Sequence, residues 1–436
     1  MDKADVIVSN CIILPMDGKR VIENGALAIK DGKITFVGKS SNINGIKAEK
    51  TIDGHGKVAL PGLINCHTHV PMTLFRGVAE DQPLEKWLKE TIWPLEARLK
   101  PEDVYAGALL GCLEMIKSGT TCFADMYFYE DMVARAVAES GLRGVLAEGI
   151  IEAGRSELGE KTFSRSVDFV KNFNGHASGR IKAMLGPHAA YSCSEELLLR
   201  VREKALKLNV GVHTHLAESK AMLGEKQNID EVEFLDRIGF FDVHTLAAHC
   251  INLSRNDMKR LSARGVNAVH VPVANMKLGL GAAKVKVLRS LGVNVCLGTD
   301  GPASNNTLDM FETMKVAALL QKHACRDPTA LSAYEVLKMA TVNGAKALGI
   351  ADVAGSLEVG KKADIILIDL NKPHLKPLHD IFASIVYSAR GSDVDTVIVD
   401  GKILMEKRQI TTINEVSVIK KAEEKVSHLL LKSNYS

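Results

Sequence analysis

The chain has 436 residues, more than one typical domain, and its 46% hydrophobic and 25% charged residues are those of an ordinary globular protein with a large core. The 55 basic and 52 acidic side chains leave a net charge of only +3, and 5% of residues are aromatic, so neither a nucleic-acid surface nor a basic membrane patch is indicated. Eight cysteines (11, 66, 112, 122, 193, 250, 296 and 325) contain no Cys-x-x-Cys pair, which argues against a zinc ribbon or disulfide framework and predicts reduced thiols in a cytosol.

Met1-Asp2-Lys3-Ala4-Asp5 opens straight into a strand-like run, which reads as a start without a signal peptide. No apolar stretch approaches the ~18 to 20 residues of a membrane span, so a cytoplasmic location is expected. The first 55 residues read as β: Val6 to Leu14 and Ala26 to Ile29 are extended and apolar, Asp31-Gly32 is a hairpin turn, and Ile34 to Val37 returns beside it. A second β-rich stretch comprises Asp364 to Ile368, Thr396 to Val399, the turn Asp400-Gly401, and Lys402 to Met405. Together the two ends predict one small β-sandwich domain, residues 1–56 and 361–412. The tail, 413–436, carries Val418, Ala422, Val426, Leu429 and Leu430 at helical spacing and reads as a docked C-terminal helix.

Between the two β segments, residues 57–360 alternate buried strands with helices. Candidate strands are Val58–Ile64, Gly119–Met126, Arg143–Ile151, Ile181–Pro187, Val210–Leu216, Thr245–His249, Asn267–Val273 and Val293–Leu297. Helical periodicity fills gaps such as Val104–Lys117, Ser194–Lys207 and Ile229–Ile238. Eight such repeats predict an α/β fold, a (β/α)8 TIM-like barrel.

A barrel places its chemistry at the carboxyl ends of its strands. Reading those ends in order gives His67-Thr68-His69, then His188 after Gly186-Pro187, His213-Thr214-His215-Leu216-Ala217-Glu218, His249, and Thr299-Asp300. Singly, each histidine reads as an ordinary polar residue, as His55, His176, His244, His323, His374, His379 and His428 do; His270 lies mid-strand and reads as structural. Joint placement at one rim is different. Three imidazoles and one carboxylate suit Zn²⁺, or Fe²⁺, Mn²⁺ or Ni²⁺ in its place, and such an ion lowers the pKa of bound water toward ~7. Glu218 is placed to act as a general acid/base beside the metal without being a ligand. His249 is placed to orient the hydroxide, and Asp300 to touch both metal and water.

The stretch Pro61-Gly62-Leu63-Ile64-Asn65-Cys66-His67-Thr68-His69, with His215-Leu216-Ala217-Glu218, His249 and Gly298-Thr299-Asp300, resembles the amidohydrolase superfamily. Met72 to Asp81, Gly186-Pro187-His188 and Thr299 to Asn306 resemble the 5'-methylthioadenosine/S-adenosylhomocysteine deaminases, a group that includes 5'-deoxyadenosine deaminases. The resemblance implies His67, His69, His215 and Asp300 as metal ligands. It implies Glu218 as the proton donor to N1 of adenine, with His249 and Asp300 handling the hydroxide. Glu96, in Trp93-Pro94-Leu95-Glu96, would hold the ribose hydroxyls, and His188 would contact the nucleoside. A homo-oligomer is expected.

Three departures from the family pattern bear on function. His188 stands where two-metal members carry a bridging lysine, which points to one metal per chain. Asn275 follows Ala274 where the family usually has serine. Glu148 occupies the region of an arginine that grips the homocysteine carboxylate, although Arg155 remains. Glu148 is therefore expected to repel that carboxylate and favour a neutral 5' group, the alternative being that Glu148 pairs the homocysteine ammonium while Arg155 alone holds the carboxylate. The competing readings are the same machinery acting on guanine, an oxidised purine or a triazine, and a metal-free scaffold of this fold, against which the full ligand set argues.

Overall fold

The computed structural model describes residues 3–43, 45–78, 80–219 and 230–430 of the 436. Eight parallel strands form the central sheet: Leu63–Thr68, Thr120–Tyr127, Arg143–Ile150, Ile181–Pro187, Val212–Leu216, Thr245–His249, Asn267–His270 and Asn294–Leu297. Each pairs with the next in chain order. The eighth returns to the first through Thr299 N–H to Asn65 Oδ1 at 3.0 Å, Asn65 Nδ2–H to Thr299 Oγ1 at 2.7 Å, and Asp300 N–H to the His67 carbonyl at 2.9 Å. The first three strands are buried at almost every position because helices cover one face and the barrel core the other. Burying side chains such as Leu63, Phe123 and Leu146, all fully enclosed, stabilises the fold by roughly 1.5–3 kcal/mol apiece.

Helix starts follow from their caps. Ser194 accepts from Leu197 N–H at 3.3 Å to open Glu195–Leu208, and Ser254 accepts from Asp257 N–H at 3.1 Å to open Arg255–Ala263. The predicted helix Ile229–Ile238 appears as Glu231–Arg237, with Ile229 outside the described residues.

Both chain ends build one mixed nine-stranded sheet. Its order is Gln409–Ile410, Lys402–Glu406, Val394–Val399, Ile365–Asp369, Lys57–Pro61, Lys3–Ile13, Ile22–Lys30 and Lys33–Lys39, with Lys47–Asp53 pairing on Lys3–Ile13. The predicted strand Val58–Ile64 is thus two strands in two sheets. Lys57–Pro61 runs antiparallel to Ile365–Asp369, and the barrel begins only at Leu63. Gly62 makes the break: a Cβ there would fall 2.0 Å from Thr121 Oγ1, so only glycine lets the chain pass. The predicted strand Asn267–Val273 is also shorter, because Pro272 opens a helix, Pro272–Lys277, and ends the run at His270.

A buried bidentate pair ties the sheet to the barrel. Arg143 Nε and Nη2 donate to Asp364 Oδ2 and Oδ1 at 2.9 and 3.0 Å, and Asp364 Oδ1 also accepts Asp400 N–H at 2.8 Å. The C-terminal helix Glu415–Leu430 docks Val418, Ala422 and Leu429 against the barrel flank, with Lys425 Nζ 3.3 Å from Asp103 Oδ1; residues 431–436 of that predicted helix lie outside the described residues. Among the described residues no helix is long and apolar enough to cross a membrane.

Candidate active site at the carboxyl rim of the barrel

The first, fifth, sixth and eighth strand ends bring His67, His69, His215, His249 and Asp300 together. Ligand atoms of His67, His69 and Asp300, and separately of His67, His215 and His249, all lie within 4.8 Å of one another. His69 Nε2 lies 3.3 Å from His215 Nε2 and 3.4 Å from Asp300 Oδ1, and His67 Nε2 lies 3.6 Å from Asp300 Oδ1. Two donors at the zinc distance of ~2.0–2.1 Å, tetrahedrally disposed, would be about 3.3–3.4 Å apart. The cradle has the dimensions of a single divalent ion.

The ring tautomers agree. His69 Nδ1–H donates to the Met126 carbonyl at 2.6 Å and His215 Nδ1–H to the His188 carbonyl at 2.8 Å. A carbonyl only accepts, so both rings carry the proton on Nδ1 and turn an Nε2 lone pair inward. His67 Nε2 is buried with no hydrogen-bond partner, which is the condition of an atom built to bind something else. His67 Nδ1 lies 2.8 Å from His213 Nε2. Burial lowers His67 to about 4 and holds His215 and His213 well below the ordinary imidazole value, so these rings are neutral donors at physiological pH. Burial opposes ionisation of Asp300, but the surrounding imidazoles outweigh it and keep the carboxyl below its usual range.

Left-handed backbone at the strand ends aims the remaining groups. His249 (φ 72°), Asp300 (φ 69°) and Ala217 (φ 50°) all adopt it, at a cost of order 1–3 kcal/mol each that the surrounding bonds must offset. Ala217 N–H donates to Glu231 Oε2 at 3.0 Å and Asn252 Nδ2–H to the Glu218 carbonyl at 2.9 Å, which fixes the turn presenting Glu218. Glu218 Oε1 lies 3.6 Å from His249 Nε2, and His249 Nδ1 lies 2.9 Å from Asn275 Oδ1. Burial raises the Glu218 carboxyl above the ordinary glutamate value, against the pull of His249.

The rim opens into a cavity of about 470 Å³, large enough for a nucleoside. Its wall includes Glu96, pushed up to about 7 by burial against the opposing pull of the Tyr127 hydroxyl, and His188, lowered to about 3 by burial and the neighbouring imidazoles. His188 Nδ1 lies 2.9 Å from Ser192 Oγ. The lining also includes apolar Leu84, Trp87 and Leu88, the exposed Arg155 and Lys161, and the half-buried Arg165.

Glu148 does not belong to this cavity. Val145 and Ala147 face the barrel core and Gly149 lines the cavity, so strand alternation turns Glu148 to the opposite face. There its Oε2 accepts Glu130 N–H at 2.7 Å and its Oε1 pairs with Arg165 Nη2 at 2.8 Å. The expected repulsion of a 5' carboxylate is therefore corrected: Glu148 braces a cation that itself faces the cavity. Sequence reading missed Arg165 and Lys161, which sit in the helix Ser156–Phe173 without a motif. It also left His213 unassigned, although its i, i+2 spacing to His215 was a usable signal. His270 closes the seventh strand rather than lying mid-strand, and its ring is buried outside the ligand cluster.

A (β/α)8 barrel with imidazoles and a carboxylate converging at its carboxyl rim defines a class, the metal-site hydrolase barrels. The sequence profile of the Amidohydrolase family matches residues 58–404, and the chain belongs to that family. It is 50% identical, over 99% of its length and 100% of the relative's, to 5'-deoxyadenosine deaminase of Methanosarcina acetivorans. It is 46% identical, over 98% and 99%, to 5-methylthioadenosine/S-adenosylhomocysteine deaminase of Pelotomaculum thermopropionicum. An adenosine deaminase from Xanthomonas campestris, solved with bound zinc, superposes with a TM-score of 0.94 at 33% identity, covering 99% of each chain.

Proposed function

We propose that the protein hydrolytically deaminates the adenine ring of 5'-modified adenosines (5'-deoxyadenosine, 5'-methylthioadenosine and S-adenosylhomocysteine), giving the inosine analogue and ammonia. The observation that carries this reading is the convergence of His67, His69, His215 and Asp300 at tetrahedral spacing beside Glu218 and His249, in a nucleoside-sized cavity. Relatives named for this chemistry over the whole chain support it.

In this reading those four residues hold one divalent metal, zinc by its donor set, and the ion supplies a water-derived nucleophile at neutral pH. Glu218, whose acid form burial favours, gives its proton to N1 of adenine as the water oxygen adds to C6. His249, its Nδ1–H held by Asn275, presents Nε2 to the attacking water. Asp300 accepts one water proton and returns it to the departing amino group, which leaves as ammonia, while the proton left on the C6 oxygen returns to Glu218 as the carbonyl forms. The Glu96 carboxylate takes the paired ribose hydroxyls, and His188 contacts the nucleoside. The 5' substituent points to Arg155, Lys161 and Arg165, so a carboxylate-bearing group is accepted alongside neutral ones. The barrel from Leu63 onward carries the chemistry in the cytoplasm, with the sheet built from both chain ends and the C-terminal helix bracing it.

A screen of adenine nucleosides, free purines and triazines, followed by ammonia release and loss of adenine absorbance, tests the reading. Turnover of the three 5'-modified adenosines with little on guanine or triazines is expected. Turnover of a free base or triazine with none on nucleosides overturns it.

A further inference from the structure

Behind the rim lies a pair of acids that the mechanism above does not use. Asp125, in the second barrel strand opposite Thr68, and Glu130, at the start of the helix Glu130–Ser140, are both fully buried. Asp125 Oδ1 lies 2.7 Å from Thr68 Oγ1 and accepts Val70 N–H at 2.7 Å, so one oxygen grips the residues on either side of His69. The next residue, Met126, accepts His69 Nδ1–H at 2.6 Å. The 125–126 step therefore holds His69 by its ring and by both flanking residues.

Asp125 Oδ2 and both Glu130 oxygens are buried without a well-formed hydrogen bond, a looser contact of the Tyr127 backbone N–H with Glu130 aside, and the two carboxyls lie within hydrogen-bonding reach of each other. Among the described residues neither makes an ion pair with lysine or arginine. The nearby guanidinium of Arg165 is engaged by Glu148 and lies over the Tyr129 ring at 4.6 Å. Two adjacent carboxylates cannot both ionise in such a place at tolerable cost, and an ionised pair would leave the facing oxygens of both acids unsatisfied. One shared proton satisfies the contact between them. Donors decide which acid holds it. Asp125 Oδ1 accepts Val70 N–H at 2.7 Å and faces the Thr68 hydroxyl, which it shares with the Ala124 carbonyl. Glu130 has only a looser contact with the Tyr127 backbone N–H, so Asp125 favours the anion and Glu130 the neutral acid.

We propose that Glu130 is a protonated acid whose O–H donates to Asp125 Oδ2, and that this carboxyl–carboxylate pair is a positioning device that holds His69 in its inward orientation. Burial, reinforced by the neighbouring carboxylates, raises Glu130 well above the ordinary glutamate value, in keeping with that assignment. The proton assignment stands on the buried pair alone; its role at His69 rests on the deaminase reading of the rim.

The test compares wild type with Glu130→Gln, whose amide replaces the O–H donor, and Glu130→Met, which has the length but no donor. In metal-free protein at neutral pH, the infrared difference spectrum between wild type and Glu130→Gln should contain a carboxylic-acid C=O band that shifts in D₂O. Glu130→Gln should bind zinc and turn over 5'-deoxyadenosine within about 3-fold of wild type. Glu130→Met should lose ~10–100-fold in zinc affinity, the range for groups that orient a ligand, with kcat falling and KM nearly unchanged. Absence of the band overturns the proton assignment. Loss in Glu130→Gln equal to that in Glu130→Met overturns the donor role, and wild-type zinc affinity in Glu130→Met overturns the positioning role. Should Glu130→Met fail to fold, the infrared band and the Glu130→Gln zinc affinity still decide. If no adenosine is deaminated at all, the deaminase reading fails while the band and the zinc titration remain interpretable.

Discussion

Replacing Glu218 with glutamine removes one titratable proton and little else. The side chain is 9% exposed, its backbone carbonyl is held by Asn252 and its neighbour Ala217 by Glu231, none of which depends on the carboxyl. Shape and packing are retained by the amide, so the loss measures proton delivery to N1. General acid/base groups contribute ~10² to 10⁴-fold, which at 1.36 kcal/mol per factor of ten is about 2.7–5.4 kcal/mol of barrier. Burial raises Glu218 above the ordinary glutamate value, which favours the acid form the step needs, and a loss of kcat within that range is expected. The pH profile carries the same signature. The active form is the acid, so activity dependent on Glu218 is full below its raised pKa and falls as pH rises through it; Glu218→Gln removes that alkaline limb. Steady-state turnover at the adenine absorbance, with elemental analysis of the same sample, checks both. A Glu218→Gln enzyme within a few-fold of the parent at neutral pH refutes the acid role, and one that has lost its metal makes Glu218 a ligand instead.

The other contacts give further expectations. Asn275→Ala leaves His249 Nδ1 without its 2.9 Å acceptor, frees the ring to change tautomer, and should lower kcat ~10–100-fold with the metal retained, as kinetics and metal analysis on one preparation would show. Arg155→Glu with Lys161→Glu should reduce kcat/KM for S-adenosylhomocysteine at least about 10-fold while leaving 5'-deoxyadenosine within about 2-fold, because a charge-assisted contact is worth ~1.5–3 kcal/mol and only one substrate carries the carboxylate. Equal effects on both substrates would place the 5' group elsewhere. Arg143→Met strands the buried Asp364 carboxylate and should cost ~3–5 kcal/mol in urea unfolding, with kcat per folded molecule unchanged because the pair lies at the sheet–barrel seam.

Much of this architecture was legible in the chain. Near-continuous apolar runs announced a parallel sheet, and titratable residues at five strand ends announced a rim, because both signals are local. What escaped depended on tertiary facts. Val58–Ile64 reads as one strand until Gly62 is seen to pass against Thr121. Glu148 sits at a strand end, as the ligands do, but on the other side of the pleat, so its neighbour Gly149 lines the cavity while Glu148 meets a helix. Arg165 and Lys161 line the cavity from a helix whose periodicity speaks only of its buried face. The Asp125–Glu130 pair spans a strand and the helix after it, and nothing in its five-residue spacing marks two acids that must share a proton.

The central claim is that one metal in the cradle of His67, His69, His215 and Asp300 enables deamination of a 5'-modified adenosine. Chelator-stripped protein titrated with Zn²⁺, with 5'-deoxyadenosine turnover read at each addition, tests it most directly. Activity should rise linearly and level off at one ion per chain, and His67→Ala should stay flat throughout. Full activity in stripped protein that elemental analysis finds metal-free, or a plateau only at two ions per chain, would contradict the account.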